Sequence, residues 1–196
     1  MKLFFLRHAK SDWGNPSLKD FDRPLNKRGL RDAPLMGKKL HHYFPENLKV
    51  ISSPAKTTKE TLELFFIDYD QNISIEFDDA LYHGSPINYL EHVINNDQDE
   101  AILFIGHNPG ISECASQFSP EPIFFPTCGC AGFSIDAASI KENNLHLADK
   151  IFYHYSKGSQ SSKGRPFFER LVESVSYTHL RAHETVLDLV CRLLLE

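Results

Sequence analysis

Two histidines follow short apolar runs in this sequence, and the residues around them suit the chemistry of phosphate. His8 comes after the apolar run of residues 2–6, with Arg7 between them, and His107 comes after the continuous apolar run of residues 101–105. A neutral imidazole can attack phosphorus and form a phosphohistidine, and an arginine fork can hold phosphate oxygens. A second histidine can stabilise the charge of the transferring group or pass protons. The pattern predicts phosphoryl transfer through His8, with no metal or other cofactor expected.

Strand-like and helix-like runs alternate along the chain, and their order determines where the two histidines lie. The strand-like runs are residues 2–6, 49–52, 73–77, 101–105, 130–135 and 151–155. Such alternation predicts an α/β fold, a three-layer α/β/α sandwich with a mostly parallel central sheet. The carboxyl ends of parallel strands share one edge, where ligands bind. If the strands before His8 and His107 are neighbours, both imidazoles reach one pocket.

The first helical pattern has apolar residues at spacings of three and four, which share one predicted buried face. These residues are Leu30, Ala33, Gly37, Leu40 and Phe44. Pro34 lies inside the pattern, so the helix is expected to kink or to restart near Asp32. A second helix is predicted over residues 55–68, and a third begins at Pro86, because proline suits the first turn of a helix.

Composition and charge exclude several classes of protein. The chain has 196 residues, and 21 Lys+Arg against 26 Asp+Glu give a formal net charge of −5, whereas a general nucleic-acid binder is usually basic. No apolar run approaches the roughly 20 residues of a membrane span, and Arg7 and His8 interrupt the first run too early for a signal peptide. The four cysteines have irregular spacing that does not indicate a disulfide framework. We expect a cytoplasmic protein with no nucleic-acid or membrane partner.

Six segments of the sequence resemble the histidine phosphatase superfamily, which has a phosphoglycerate-mutase-like fold, and within it the small SixA-type phosphohistidine phosphatases. They are LRHAKSDW (6–13), DFDRPLNKRG (20–29), ISSPAK (51–56), DALYHGSP (79–86), FIGHNPG (104–110) and PTCG (126–129). A lone Arg-His pair has no specificity, whereas the whole set in the expected strand contexts is specific. The resemblance implies a phosphatase that hydrolyses phosphohistidine, a phosphoramidate, or related phosphomonoesters.

The resemblance also implies roles for particular residues. It makes His8 the phosphate-accepting nucleophile, with Arg7 beside it on the phosphate, and it makes His107 the second catalytic and phosphate-binding histidine. Arg23 matches the SixA-type arginine that folds back onto the same phosphate. Asp79 lies near the position where larger members carry an acid that protonates the leaving group, although SixA-type members often manage without one. The alternative for Asp79 is a helix- or turn-capping role.

One position departs from the family pattern. The family commonly has an arginine in a segment like SPxxRAxxT, and here Thr57 occupies the arginine position among the predicted phosphate ligands. A hydroxyl donates one hydrogen bond without a charge, and loss of one charge-assisted contact to a transferring phosphoryl group costs on the order of 3 kcal/mol, or roughly a hundredfold in rate. Thr57 therefore keeps open a second hypothesis, a catalytically weak or inactive phosphate-binding homologue.

The short chain leaves little room for lid insertions, which predicts an open pocket. An open pocket suits a phosphorylated protein partner, such as a histidine-containing phosphotransfer domain, better than a small phosphomonoester. A small-molecule phosphomonoesterase remains the third hypothesis. His83 is expected to be a plain loop residue, with a position at the pocket rim as the alternative, and Lys27 and Arg28 are expected to form a solvated helix start.

The composition changes at Ser156, so the predicted histidine phosphatase domain covers residues 1–156. The polar stretch 157–174 is predicted to be a linker or a frayed C-terminus. Residues 175–196 resemble translated adaptor DNA, which predicts a tail that is not native to the protein. A short amphipathic helix is the alternative, since Val186, Leu189, Val190 and Leu193 share a helical face.

Overall fold

The computed structural model describes residues 1–69 and 72–156. The predicted linker (157–174) and tail (175–196) lie outside the described residues. The strands are β1 (Lys2–Arg7), β2 (Asn47–Ser52), β3 (Asn72–Phe77), β4 (Ala101–Gly106), β5 (Cys130–Ser134) and β6 (Asp149–His154). They form one six-stranded sheet in the order β3-β2-β4-β1-β5-β6.

The two central strands of the sheet are β1 and β4, which pair in parallel with Leu6 opposite Ile105. β2 pairs in parallel with both β4 and β3, whereas β5 pairs antiparallel with β1 and with β6. Every residue of β4 is buried, as expected for a continuous apolar strand at the centre of a parallel sheet. The predicted mostly parallel sheet is therefore confirmed, and the strands that precede His8 and His107 are neighbours.

Helices cover both faces of the sheet. They are α1 (Lys27–Leu40), α2 (Lys56–Phe65), α3 (Pro86–Asn95), α4 (Gly110–Ser116) and α5 (Ala137–Lys141). Short 3-10 helices span Asp20–Asp22, His41–Tyr43, Asp79–Leu81 and Leu145–Leu147. Helix α1 contacts α2, and α3 contacts α4, so that each pair forms one outer layer of the predicted three-layer sandwich.

Successive residues of the central strands point to opposite faces and build two cores. On one face, Phe4 and Leu6 belong to a cluster of buried residues that includes side chains of α1 and α2. On the other face, the ring of Phe5 stacks on that of Phe104 with centroids 5.4 Å apart, and Tyr89 of α3 meets Phe104 edge-on at 5.6 Å. Both cores hold β1 and β4 rigidly, which fixes the positions at which these strands end.

Helix α1 differs in two respects from its sequence prediction. It runs without a break through Pro34, so the restart near Asp32, one of the two predicted outcomes, is wrong. Leu30 is 49% exposed, so its assignment to the buried face is also wrong. The orientation of the helix follows from two close backbone approaches, because a side chain at Gly29 would collide with the backbone of Lys10 and one at Gly37 with that of Phe65.

Across residues 1–69 and 72–156, the structure contains no helix that is both long enough and apolar enough to cross a membrane.

Candidate active site

The ends of three strands meet at one edge of the sheet and bring the two histidines together. The backbone N–H of His8 donates to the carbonyl oxygen of Gly106 at 3.1 Å, and that of Ser53 donates to Ile105 at 3.1 Å. These bonds join the chain after β1, β2 and β4. As a result, the imidazole rings of His8 and His107 lie with their centroids 4.8 Å apart and their planes inclined by 50°.

The ring of His8 is held in one orientation by its own backbone. Its Nδ1 lies 2.7 Å from the carbonyl oxygen of Ala9, which can only accept, so Nδ1 carries the hydrogen. In the neutral ring this leaves the lone pair on Nε2, the atom available to attack phosphorus. The next peptide is also fixed, because the N–H of Ala9 donates to Oγ1 of Thr61 at 2.9 Å, and Thr61 donates to the carbonyl oxygen of Thr57 at 2.6 Å.

His8 is neutral at physiological pH. Burial lowers the pKa of its imidazole to about 4, the positive charges of Arg7 and Lys10 act in the same direction, and the hydrogen bond to Ala9 opposes them. A nucleophile must have a free lone pair, so this low pKa favours attack by Nε2 over a wide range of pH.

His107 is held by contacts from two other segments. Its Nε2 lies 3.0 Å from Oγ of Ser53, which follows β2, and the ring of Tyr82 stands edge-on to the imidazole at a centroid distance of 5.3 Å. Burial lowers the pKa of His107 to about 3, the charges of His8, His83 and Arg7 lower it further, and Asp20 raises it. Two neutral imidazoles therefore share the pocket.

Arg7 brings the permanent positive charge of the site. Its Nη1 donates to the carbonyl oxygen of Phe125 at 2.8 Å, whereas its Nε is buried and has no partner among the described residues. The loop after Phe125 also binds the end of β1 through the backbone. The N–H of Cys128 donates to the carbonyl oxygen of His8, and the backbone N–H of Arg7 donates to that of Gly129. The guanidinium thus has spare donors beside the imidazole pair, as an oxyanion site requires.

Arg23 makes its contacts within the loop of residues 12–22. Its Nη1 donates to the carbonyl oxygen of Asn15 at 3.2 Å, and its guanidinium carbon lies 4.2 Å from the ring centre of Trp13, which is 61% exposed. Its Nε lies 3.7 Å from Asp20. No hydrogen bond or ion pair among the described residues joins Arg23 to His8, Arg7 or His107. Its position on the phosphate therefore stays a prediction.

The loop that holds Arg23 nevertheless reaches the histidine pair. Tyr82 donates from its hydroxyl to Asp20 at 3.3 Å, and its ring contacts Phe21 at 5.0 Å. The same Tyr82 ring contacts His107, so one aromatic side chain connects the Arg23 loop to the pocket.

Thr57 and Asp79 are the two remaining residues of the predicted site. Thr57 is buried in the first turn of α2, and its carbonyl holds Thr61, which in turn holds the peptide after His8. Asp79 is exposed, and its side chain has no hydrogen bond or ion pair with any residue in the described part of the chain. The cap of the 3-10 helix comes instead from Asp78, whose Oδ1 accepts from Ala80 at 2.8 Å. The roles of Thr57 and Asp79 in phosphate chemistry stay predictions.

Several residues contact the histidine pair in ways that the sequence does not predict. Ser53 and Thr61 are the first and last residues of the SPxxRAxxT-like segment, and Tyr82 lies in DALYHGSP, but these motifs assign none of the three a contact with the histidine pair. His83 was expected to be a plain loop residue, but its ring centroid lies 6.2 Å from that of His107, which supports the pocket-rim alternative.

Arg28 was expected to be solvated, but its Nη2 donates to Oγ1 of Thr127 at 2.8 Å, in the loop beside β1.

Over the ranges 1–69 and 72–156, no group of three or more His, Cys, Asp or Glu side chains is arranged to hold a metal ion. The arrangement of His8, His107 and Arg7 is suited instead to a tetrahedral oxyanion. It offers one bare imidazole nitrogen, a second imidazole beside it, and a guanidinium with unused donors.

Comparison with known proteins finds similar sequences over much of the chain. Residues 3–82 match the model of the histidine phosphatase superfamily (branch 1). An uncharacterized chloroplastic protein of Arabidopsis thaliana is 32% identical over 142 residues, which are 66% of this chain and 64% of that protein. An uncharacterized protein of Mycobacterium tuberculosis is 32% identical over 111 residues, which are 56% of this chain and 67% of that protein. The chain thus spans somewhat less than two thirds of the length of the plant relative.

A solved structure shares the fold. A protein from Agrobacterium tumefaciens, described as a phosphohistidine phosphatase SixA, superimposes with a TM-score of 0.66 at 24% sequence identity, over 79% of this chain and 97% of that chain. The six-stranded sheet with helices on both faces therefore has the phosphoglycerate-mutase-like architecture that the sequence predicted.

Proposed function

The chain belongs to the histidine phosphatase superfamily, and on this premise we propose that it hydrolyses phosphohistidine or related phosphomonoesters through a phosphoryl intermediate on His8. The observation that carries the proposal is the pair of imidazoles, His8 and His107, whose centroids are 4.8 Å apart beside the unused donors of Arg7. This arrangement matches a phosphoryl group in shape and charge.

The reaction has two displacements at phosphorus. In the first, Nε2 of His8 forms a bond to phosphorus while the bond to the leaving nitrogen or oxygen breaks, and the electron pair goes to the leaving atom. In the second, water attacks phosphorus, the bond to Nε2 breaks, and inorganic phosphate is released. Arg7 and His107 stabilise the negative charge on the phosphoryl oxygens in both steps.

A phosphorylated histidine on a protein is the proposed preferred substrate. A phosphoramidate has a leaving nitrogen that departs readily once it is protonated, so a strong acid is less necessary than for an ester. The similarity in fold to the Agrobacterium protein described as a phosphohistidine phosphatase is consistent with this choice. No metal is proposed to take part.

Phosphate release tests this proposal. We expect the parent protein to release phosphate from a phosphohistidine protein and, more slowly, from an aryl phosphate, and we expect His8→Ala to release none. The matched control is His146→Ala, an exposed histidine of the 3-10 helix Leu145–Leu147, which should behave as the parent does. Equal rates for the parent and His8→Ala would contradict the proposal.

A phosphate-binding protein that has lost turnover is the second candidate, and Thr57 favours it. This residue is 3% exposed and brings no charge to the start of α2. The second candidate predicts that the parent binds a phosphorylated ligand without releasing phosphate above the background rate. A measurable rate that depends on His8 would exclude it.

A further inference from the structure

We propose that His83 donates the proton to the leaving group, a role that rests on the proposed function. The two pocket histidines have other tasks, since His8 is the nucleophile and His107 faces Ser53 and the phosphoryl oxygens. Departure of a nitrogen or oxygen with its electron pair requires a proton, and histidine is the side chain that exchanges protons near neutral pH.

Ring contacts place His83 at the exposed side of the pocket. Its ring centroid lies 6.2 Å from that of His107 and 4.2 Å from that of Tyr82, which itself contacts His107. His83 is exposed, whereas His107 is buried. We therefore place the departing atom on the exposed side of the phosphoryl group, next to His83, with the phosphoryl oxygens toward the buried histidine pair.

The backbone holds His83 in an uncommon conformation. Its φ is 57°, in the left-handed region that few residues other than glycine adopt, although histidine does so more often than most. Such a conformation persists only where the surrounding structure determines it, and it is concentrated at functional sites.

Three contacts determine the conformation of this turn. Leu81 is fully buried, and Asp78 binds both the N–H of Ala80 and the ring of His92 at 2.7 Å. On the other side, the carbonyl of Gly84 approaches Gly110 so closely that a side chain at Gly110 could not be accommodated. Because Gly110 begins α4 directly after the His107 segment, the turn of His83 is fixed relative to His107.

His83 gives a proton in the first displacement and takes one back in the second. In the first, the His83 imidazolium gives its proton to the leaving atom, which takes the electron pair of the broken bond. In the second, the water oxygen bonds to phosphorus and gives a proton to neutral His83, while the bond from phosphorus to Nε2 of His8 breaks and its electron pair returns to Nε2. His83 then returns to its starting state with inorganic phosphate released.

The carboxylate predicted for this role is less well placed. Asp79 is exposed, and within the described residues nothing joins its side chain to either pocket histidine.

Leaving-group dependence distinguishes acid catalysis from a structural role. The experiment measures single-turnover transfer to His8 from phenyl phosphate, whose leaving phenol resembles the tyrosine side chain with its pKa of about 10, and from 4-nitrophenyl phosphate, whose phenol is much more acidic. The variant is His83→Asn, because asparagine tolerates a positive φ but is not an acid. We expect a loss of about 100-fold with phenyl phosphate and of less than about threefold with 4-nitrophenyl phosphate.

Two further variants complete the test. His83→Gly fits the left-handed backbone, so it should fold, and added imidazole should restore its turnover of phenyl phosphate. His146→Asn is the control for replacing an exposed histidine and should match the parent with both esters. Equal losses with both esters in His83→Asn, or no rescue of His83→Gly, would overturn the role of His83.

The outcome also separates this inference from the proposed function. If the parent places a phosphoryl group on His8 but leaving-group dependence arises in Asp79→Asn and not in His83→Asn, only the inference fails. If the parent forms no phosphoryl intermediate on His8 from any substrate, the proposed function fails and the inference fails with it.

Discussion

The Nε2 atom of His107 lies 3.0 Å from Oγ of Ser53, a contact that joins the ends of β4 and β2. Ser53 is fully buried, and its Oγ also accepts from the N–H of Ala55 at 3.3 Å. The hydroxyl therefore fixes the ring of His107 against the start of α2. A serine that follows a strand gives no sign of this role in the sequence.

Removal of this contact should weaken catalysis more than binding. In Ser53→Ala, the ring nitrogen of His107 loses its partner in a buried setting, which costs about 1–3 kcal/mol, and we expect kcat to fall by about 10- to 100-fold with a smaller change in KM. Steady-state kinetics on an aryl phosphate measure both constants. The matched control is Ser52→Ala, because the buried Ser52 donates to the backbone carbonyl of Ser53. An equal fall in kcat for both variants would contradict the role of Ser53.

Thr57 should limit the rate. In Thr57→Arg, a fork is added at the start of α2, and we expect kcat/KM to rise by up to about 100-fold because one charge-assisted contact to the phosphoryl group is gained. Lys56→Arg is the control, since this exposed neighbour keeps its charge. Thermal unfolding of both variants shows whether the buried position tolerates the larger side chain. A folded Thr57→Arg protein with the rate of the parent would show that this position does not limit turnover.

The chain has a single tryptophan, Trp13, and it should report the movement of Arg23. The guanidinium lies 4.2 Å from the centre of the Trp13 ring, so a shift of Arg23 onto a phosphoryl group must change the surroundings of the indole. We expect inorganic phosphate to alter the fluorescence of Trp13 in the parent. In Arg23→Gln the change should disappear, and phosphate should bind more weakly. A change of equal size in Arg23→Gln would contradict this movement.

The low pKa values of the two histidines predict how stability varies with pH. Burial lowers the pKa of His8 to about 4 and that of His107 to about 3, below the value of about 6.5 for a histidine in an unfolded chain. The unfolded state therefore binds more protons below about pH 6.5, so the folded state loses stability as the pH decreases toward 4, whereas above about pH 6.5 these groups contribute no pH dependence.

Thermal unfolding across that pH range tests this linkage. The fall in Tm on acidification should be smaller in His107→Gln than in the parent, because one of the two depressed groups is removed. His146→Gln should retain the slope of the parent. An unchanged slope in His107→Gln would show that His107 takes up its proton equally well in the folded and unfolded states.

The positions of His8 and His107 followed from the sequence because each comes directly after an apolar strand. Parallel strands end at one edge of a sheet, but the sequence does not show that β1 and β4 are neighbours; the structure does. Leu30 shows the limit of this reasoning. Its spacing suits the buried face of α1, but the close approach of Gly29 to the backbone of Lys10 turns it toward solvent.

The contacts that tune the site were beyond prediction for a related reason. Ser53, Tyr82 and His83 meet His107 from segments that are distant in the chain and are brought together by the strand order. Arg23 was recognised by its motif, but its stacking on Trp13 depends on the path of a loop that has no periodic pattern. Local propensities describe elements, whereas these contacts depend on how the elements assemble.

Direct detection of the phosphoryl intermediate on His8 is the most decisive measurement. The parent is mixed with a phosphohistidine protein or an aryl phosphate, quenched in base because phosphohistidine is labile in acid, and its intact mass and modified peptide are determined. We expect one added phosphoryl group on the peptide that contains His8, and none in His8→Asn. A parent protein that turns over substrate without this adduct, or that carries it on another residue, would contradict the role of His8 as nucleophile.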